Sequence, residues 1–184
     1  SAFAMHKYHP GDRAQRADYP HRHDFYQVIH ITEGRGRHVV DHYAFPITPP
    51  ILFFVAAGQV HYWQIMEHLQ GDGLLFRPDF LEPSPAYSVE FDKLELCQRL
   101  SSAPLKLDCK QSGLLQRIIE LIAHEHATHN SDTVLNAYLH ILFTQIQRLC
   151  VTPEPVMALE PTTELVRRYR QLVSQHFMEQ RSVQ

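Results

Sequence analysis

The stretch YPHRHDFYQVIHI at residues 19–31 sets His21 and His23 two residues apart at the front of an apolar run. In an extended chain, side chains at i and i+2 share a face, so His21, His23, Phe25, Gln27, Ile29 and Ile31 line one surface. A third histidine, His61, follows the turn residue Gly58 in AAGQVHYW and shares its face with Trp63 and Ile65. If the strands close into a small barrel, His21, His23, Gln27 and His61 converge inside it. Three imidazoles and a side-chain oxygen suit a first-row metal. Position 27, however, carries an amide and not a carboxylate, which leaves the set without an anionic ligand or a general base. The same residues suit the polar end of a small-molecule pocket, where imidazoles and an amide hold hydroxyl or carboxylate groups, while Trp63 either stacks on a ligand ring or packs in the core. A third arrangement has the histidines satisfied by their neighbours with no ligand at all. With 14 histidines in the chain, ligand-like spacings also arise by chance. HEHATHN at 124–130 is one of these: it lacks the HExxH pattern of zinc proteases and reads as a solvated helix end.

The elements that must carry these residues are short strands. Phe25 to Thr32 is β-rich, EGRG at 33–36 is a tight turn, and His38 to Phe45 returns as the second arm of a hairpin. Pro46, Pro49 and Pro50 punctuate, Ile51 to Val55 is a continuous apolar strand, Val60 to Met66 forms another, and Leu74 to Phe76 follows two glycines. Strands so closely spaced, without helical pattern between them, indicate an antiparallel sandwich or barrel. From Leu114 the period changes. Apolar residues recur at helical spacing to Ile122, and a second helix, capped by Ser131, carries Leu135, Tyr138, Leu139, Leu142 and Ile146. Both helices are apolar over more than one stripe, which predicts one side on the β domain and another on a partner, most simply a second copy of the chain. VTPEPVMALEP at 151–161 has the composition of a linker, and a final helix from Thr162 carries an amphipathic stripe with Arg167, Arg168 and Arg170 on its solvated side.

Composition narrows the function. The 184 residues are 44% hydrophobic and 20% charged, enough for one ordinary core, and the formal net charge of -3 provides no overall basic field for phosphate backbones. Three scattered cysteines, Cys97, Cys109 and Cys150, contain no CxxC pair and fit a reducing cytoplasm. No run is long enough to span a membrane, and neither a nucleophile elbow, a P-loop nor a dinucleotide fingerprint occurs. Residues 1–4, ahead of Met5, read as a cloning remnant.

The order of parts, HRHDFYQVIHITEGRGRHVVD, then ILFFVAAGQVHYW, then GLLFRPDFL, resembles the cupin-type sensory domain of AraC-type transcriptional regulators. LVRRYRQLVSQHFMEQRSVQ is similar to the first helix of their paired helix-turn-helix DNA-binding domain. The resemblance implies a mainly β fold with C-terminal helices: an N-terminal arm at 1–20, a cupin-like jelly-roll (double-stranded β-helix) barrel at 21–110 and a helical dimerisation segment at 111–150. The linker at 151–161 and the first helix of a truncated DNA-binding domain at 162–184 complete it. It implies a non-enzymatic sensor with a small-molecule effector, a sugar or an aromatic acid, and a homodimer. Operator DNA would be bound only by the full-length protein. The expected effector-binding set is His21, His23, Phe25, Gln27, His38, His61 and Trp63. Dimerisation falls to Leu135, Tyr138, Leu139, Leu142 and Ile146. No cofactor is expected; a metal, if one binds, takes His21, His23, Gln27 and His61. The alternative is a metal-dependent cupin enzyme, a dioxygenase or isomerase, using those four residues.

Overall fold

Strand β2 (Tyr26–Glu33) shows how the sequence builds the barrel. Its residues alternate in destination: Ile29 and Ile31 join one apolar cluster, with Phe53 and Trp63, whereas Tyr26 and Val28 join another, with Leu74, Phe76 and the helices. Period-2 alternation between two apolar faces marks a strand covered on both sides. The computed structural model describes residues 2–9, 18–81 and 103–150. The other elements are β1 (Phe3–Tyr8), β3 (Gly36–Val40), β4 (Tyr43–Ile47), β5 (Ile51–Val55), β6 (His61–Ile65), β7 (Gln70–Phe76), a single 3-10 turn at Pro78–Leu81, and β8 (Leu105–Lys106), followed by α1 (Cys109–Thr128) and α2 (Asp132–Cys150).

The strands form two antiparallel sheets, ordered β1-β7-β2-β5-β8 and β4-β3-β6. β2 pairs with β7 and, nested inside that pair, β3 pairs with β6. The chain therefore alternates between sheets, as a folded ribbon does when wound into a jelly roll. A bridge between His21 and His61 adds one more rung to the free edge of β6. The fold is thus mainly β with C-terminal helices, and the jelly-roll expectation holds on topology. The anticipated linker at 151–161 and final helix at 162–184 lie outside the described residues.

Three boundaries differ from the sequence reading. Residues 38–45 are two strands and not one, because Asp41 takes a left-handed φ of 54° and turns the chain between β3 and β4. Asp is among the few non-glycine residues that tolerate this region. Residues 3–8, expected as part of an arm or a cloning remnant, form β1, in register with β7 from Phe3 opposite Phe76 to Tyr8 opposite Gly71. β7 itself begins at Gln70, four residues earlier than the apolar run suggested.

α1 starts where Asp108 accepts hydrogen bonds from the Lys110 and Gln111 amides, while Gln111 Oε1 accepts from the Asp108 amide. Such a capping box is worth about 1 kcal/mol. The two helices turn at His129 and Asn130 and lay Leu115, Ile119, Ile122, Leu135, Leu139 and Leu142 over the outer face of the five-stranded sheet.

Gly34, in the β2–β3 turn, has φ of +106°, and a Cβ there would meet the His68 carbonyl oxygen and the Leu69 backbone. Gly34→Ala is expected to destabilise the fold by about 2 to 3 kcal/mol, from the strained dihedral and the collision together. Urea unfolding measures it; a loss below about 0.5 kcal/mol would mean the turn can rearrange.

Candidate functional site

Strand register decides which side chains meet inside the barrel. β3 and β6 align so that His38 faces Trp63 and Val40 faces His61. His38 lies flat on Trp63, with ring centroids 3.8 Å apart and planes within 8°. Phe53 of β5 meets the edge of His38 at 4.8 Å and of Trp63 at 6.0 Å. Tyr8 of β1 packs on Trp63 at 6.0 Å. The segment entering β2 brings the other two histidines. His21 exchanges main-chain hydrogen bonds with His61, at 3.1 and 2.8 Å, and the His23 carbonyl accepts from the Gly58 amide at 2.7 Å.

The imidazoles are linked end to end. His23 Nδ1 lies 2.7 Å from the Phe25 carbonyl oxygen. His23 Nε2 lies 3.1 Å from His61 Nε2, and His61 Nδ1 lies 3.0 Å from His38 Nε2. His38 is fully buried, and its Nδ1 has no hydrogen-bond partner among the described residues. His23 is half-buried and stacks on Phe25 at 3.8 Å, so the chain runs from the rim of the barrel inward.

Burial makes these rings poor bases. It pushes His61 down to about 3, with neighbouring His21 and His23 adding to the shift. It holds His38 well below the ordinary histidine value, with His61 and His21 contributing. His23 is lowered by burial too, against the opposing pull of the Phe25 carbonyl and the Gln27 amide. Near pH 7 all three are neutral.

The expected effector residues therefore fall in one neighbourhood: Phe25 and Gln27 against His23, His21 against His61, and His38 with Trp63 at the inner end. The arrangement differs from the sequence reading in one respect. Trp63 is 4% exposed and has one face covered by His38, so it supports the site from within the core. Phe53 and Tyr8 are contributors that the sequence reading missed. Phe53 shared its parity with Ile51 and Val55, a signal of interior position but not of contact with histidine.

His61 turns opposite ring nitrogens to His23 and His38, so His38 cannot join those two at one ion. Among the described residues no group of three His, Cys, Asp or Glu side chains is arranged to hold a metal, and this includes the HEHATHN segment.

A second polar cluster lies on the other face of β2. His30, fully buried, contacts Ser112 Oγ at 2.9 Å and Gln116 Oε1 at 3.1 Å on α1. Gln116 donates to Asp72 of β7 at 3.1 Å, and Lys7 of β1 lies 3.6 Å from the same carboxylate. Sheet and helix are thereby joined through satisfied polar groups.

The sequence profile of the AraC-like ligand binding domain matches residues 8–140, which span most of the barrel, α1 and the first half of α2. The chain belongs to the AraC-like ligand-binding domain family. This AraC-like domain is 32% identical over 65 residues to the HTH-type transcriptional activator RhaR of Mannheimia succiniciproducens, a match covering 35% of the chain and 24% of RhaR. Among solved structures it is similar to the AraC-like transcriptional activator CuxR, with 16% identity over 82% of the chain and 51% of CuxR and a TM-score of 0.48. ToxT of Vibrio cholerae matches 95% of the chain, at 12% identity and a TM-score of 0.45, over 71% of its own length. The AraC-like domain thus spans about half of CuxR, and its match to RhaR about a quarter of that protein.

Proposed function

We propose that this chain is the effector-binding and dimerisation region of an AraC-type transcription regulator. A small molecule, a sugar or an aromatic acid, enters the barrel; operator DNA is bound by a further domain of the full-length protein. The chain is not an enzyme on this reading: its family is one of ligand-binding domains, and burial makes His38 and His61 weak bases. The observation that carries the proposal is the family match across barrel and helices together with a line of buried histidines ending in an unpartnered acceptor. Dimerisation uses the outward side of α2, where Val134 and Ile141 are exposed and Tyr138 is half-buried. Such a regulator works in the cytoplasm, and among the described residues no helix is long and apolar enough to cross a membrane.

Binding is tested by thermal shift against sugars and aromatic acids, since a ligand that prefers the native state raises its apparent stability. His61→Ala is expected to weaken the ligand found by roughly 1 to 3 kcal/mol, because His61 holds His23 and His38 through its two ring nitrogens and its loss releases both. An unchanged affinity would remove His61 from the site. The absence of any ligand-induced shift would count against the sensor.

A further inference from the structure

The direction of the histidine chain follows from one atom. A neutral imidazole has one N–H and one lone pair. The Phe25 carbonyl oxygen can only accept, so His23 Nδ1 carries the hydrogen and His23 Nε2 the lone pair. His61 Nε2 must then donate to His23, which leaves His61 Nδ1 as an acceptor. His38 Nε2 donates to it, and His38 Nδ1 is left as a bare lone pair. The tautomers of all three rings are thus set at the rim, and the interior receives an acceptor with no donor facing it.

We propose that the inner end of this chain selects the effector's chemistry: His38 Nδ1 accepts a hydrogen bond from a neutral ligand's hydroxyl, as in a sugar or other polyol, and turns away carboxylates. The proposal rests on the effector-binding reading of the barrel and deepens it. A carboxylate at His38 would set lone pair against lone pair. It would also lack a compensating charge, because no Lys or Arg is among the buried residues described. A buried anion without a partner is strongly disfavoured. A hydroxyl both donates the missing hydrogen bond and remains uncharged. His38 Nδ1 is sealed from solvent here, so a ligand that reaches it must move one of the rings against His38. The aromatic rings in contact are Trp63 and Phe53. Ligand entry then has a conformational consequence, as a switch requires.

Two measurements on the 184-residue chain test this. Side-chain ¹⁵N NMR at pH 7.5 is expected to find His38 and His61 protonated on Nε2 and His23 on Nδ1; the opposite tautomer at His38 would overturn the proposal without touching the effector reading. Calorimetric titration at the same pH then compares aldoses with the aldonic acids of the same carbon skeletons, and with benzoate and salicylate. An aldose is expected to bind and the acids to bind at least tenfold more weakly. His38→Phe, which keeps an aromatic ring on Trp63, is expected to weaken the aldose roughly tenfold or more. His38→Gln, which can again present an acceptor, should recover part of that loss. Preferential binding of an acid at pH 7.5 would overturn the proposal while leaving the barrel as effector site. Binding of no probe would remove the effector reading and the proposal with it.

Discussion

Leu139→Ala is expected to lower the unfolding free energy by about 2 to 5 kcal/mol, the cost of a cavity in a packed core. Leu139 has no exposed surface and belongs to the cluster in which α2 meets the sheet. Phe143, one turn on, contacts Phe76 at 5.9 Å and Phe54 at 6.5 Å, so the neighbouring side chains are rings with little room to relax. Leu135, Leu142 and Ile146 are equally sealed. These four, with Tyr138, are the residues that the sequence reading assigned to a dimer seam; the burial of the four within one chain assigns them first to its own core, whereas Tyr138 is only half-buried. The contrasting substitution is Ile141→Asp. Ile141 is 47% exposed, so a charge there should change stability by less than about 0.5 kcal/mol. It should nonetheless weaken self-association if the outward side of α2 is the seam. Urea unfolding and sedimentation velocity on both variants separate the two roles. If Leu139→Ala left stability intact and split the dimer, the helix would have to be turned about its axis.

That pair of substitutions also shows where sequence reading stops. Helical periodicity in Leu135, Leu139, Leu142 and Ile146 announces an apolar stripe, and the stripe exists. It cannot say whether the stripe meets a sheet of the same chain or a helix of another, because both environments select the same side chains. The strands were legible for the same reason, through parity, with Ile29, Ile31, Phe53 and Trp63 all on the interior side. What parity does not carry is register. For Trp63 a face offered to a ligand and plain core packing were both open, and the β3–β6 alignment sets His38 opposite it so that the two rings stack. That contact joins residues 25 positions apart and depends on the turns between them. The β3–β4 turn was missed because it has no glycine or proline, only Asp41 in a left-handed conformation. Strand β1 was missed because its partner, β7, lies some sixty to seventy residues away, and its six residues show no strict apolar–polar alternation of their own.

Lowering the pH from 7.5 to 5 is expected to destabilise the fold by about 2 kcal/mol through His61 alone. The folded-state value of His61 is depressed to about 3, from an ordinary 6.5 in the unfolded chain. Between those values the unfolded state holds a proton that the folded state refuses, so stability rises with pH across this window and is lost as pH falls. Each unit below 6.5 costs about 1.4 kcal/mol, and titration down to the folded-state value would cost on the order of 4 to 5 kcal/mol. His38, His23 and His30 are depressed in the same direction, each chiefly by burial, and act with the same sign. The groups around the chain do little to oppose this: His21 faces His61 and would repel its charge, and Asp24 acts only on the rim residue His23. Urea midpoints measured from pH 7.5 to 5 should therefore fall steadily once the pH passes about 6.5. His61→Gln removes one proton-binding site and should flatten that fall, even if the variant is less stable at pH 7.5. A midpoint independent of pH over this range would mean that the barrel admits protons freely to His61, and that its interior is wetter than the packing of Phe53, Trp63 and His38 implies.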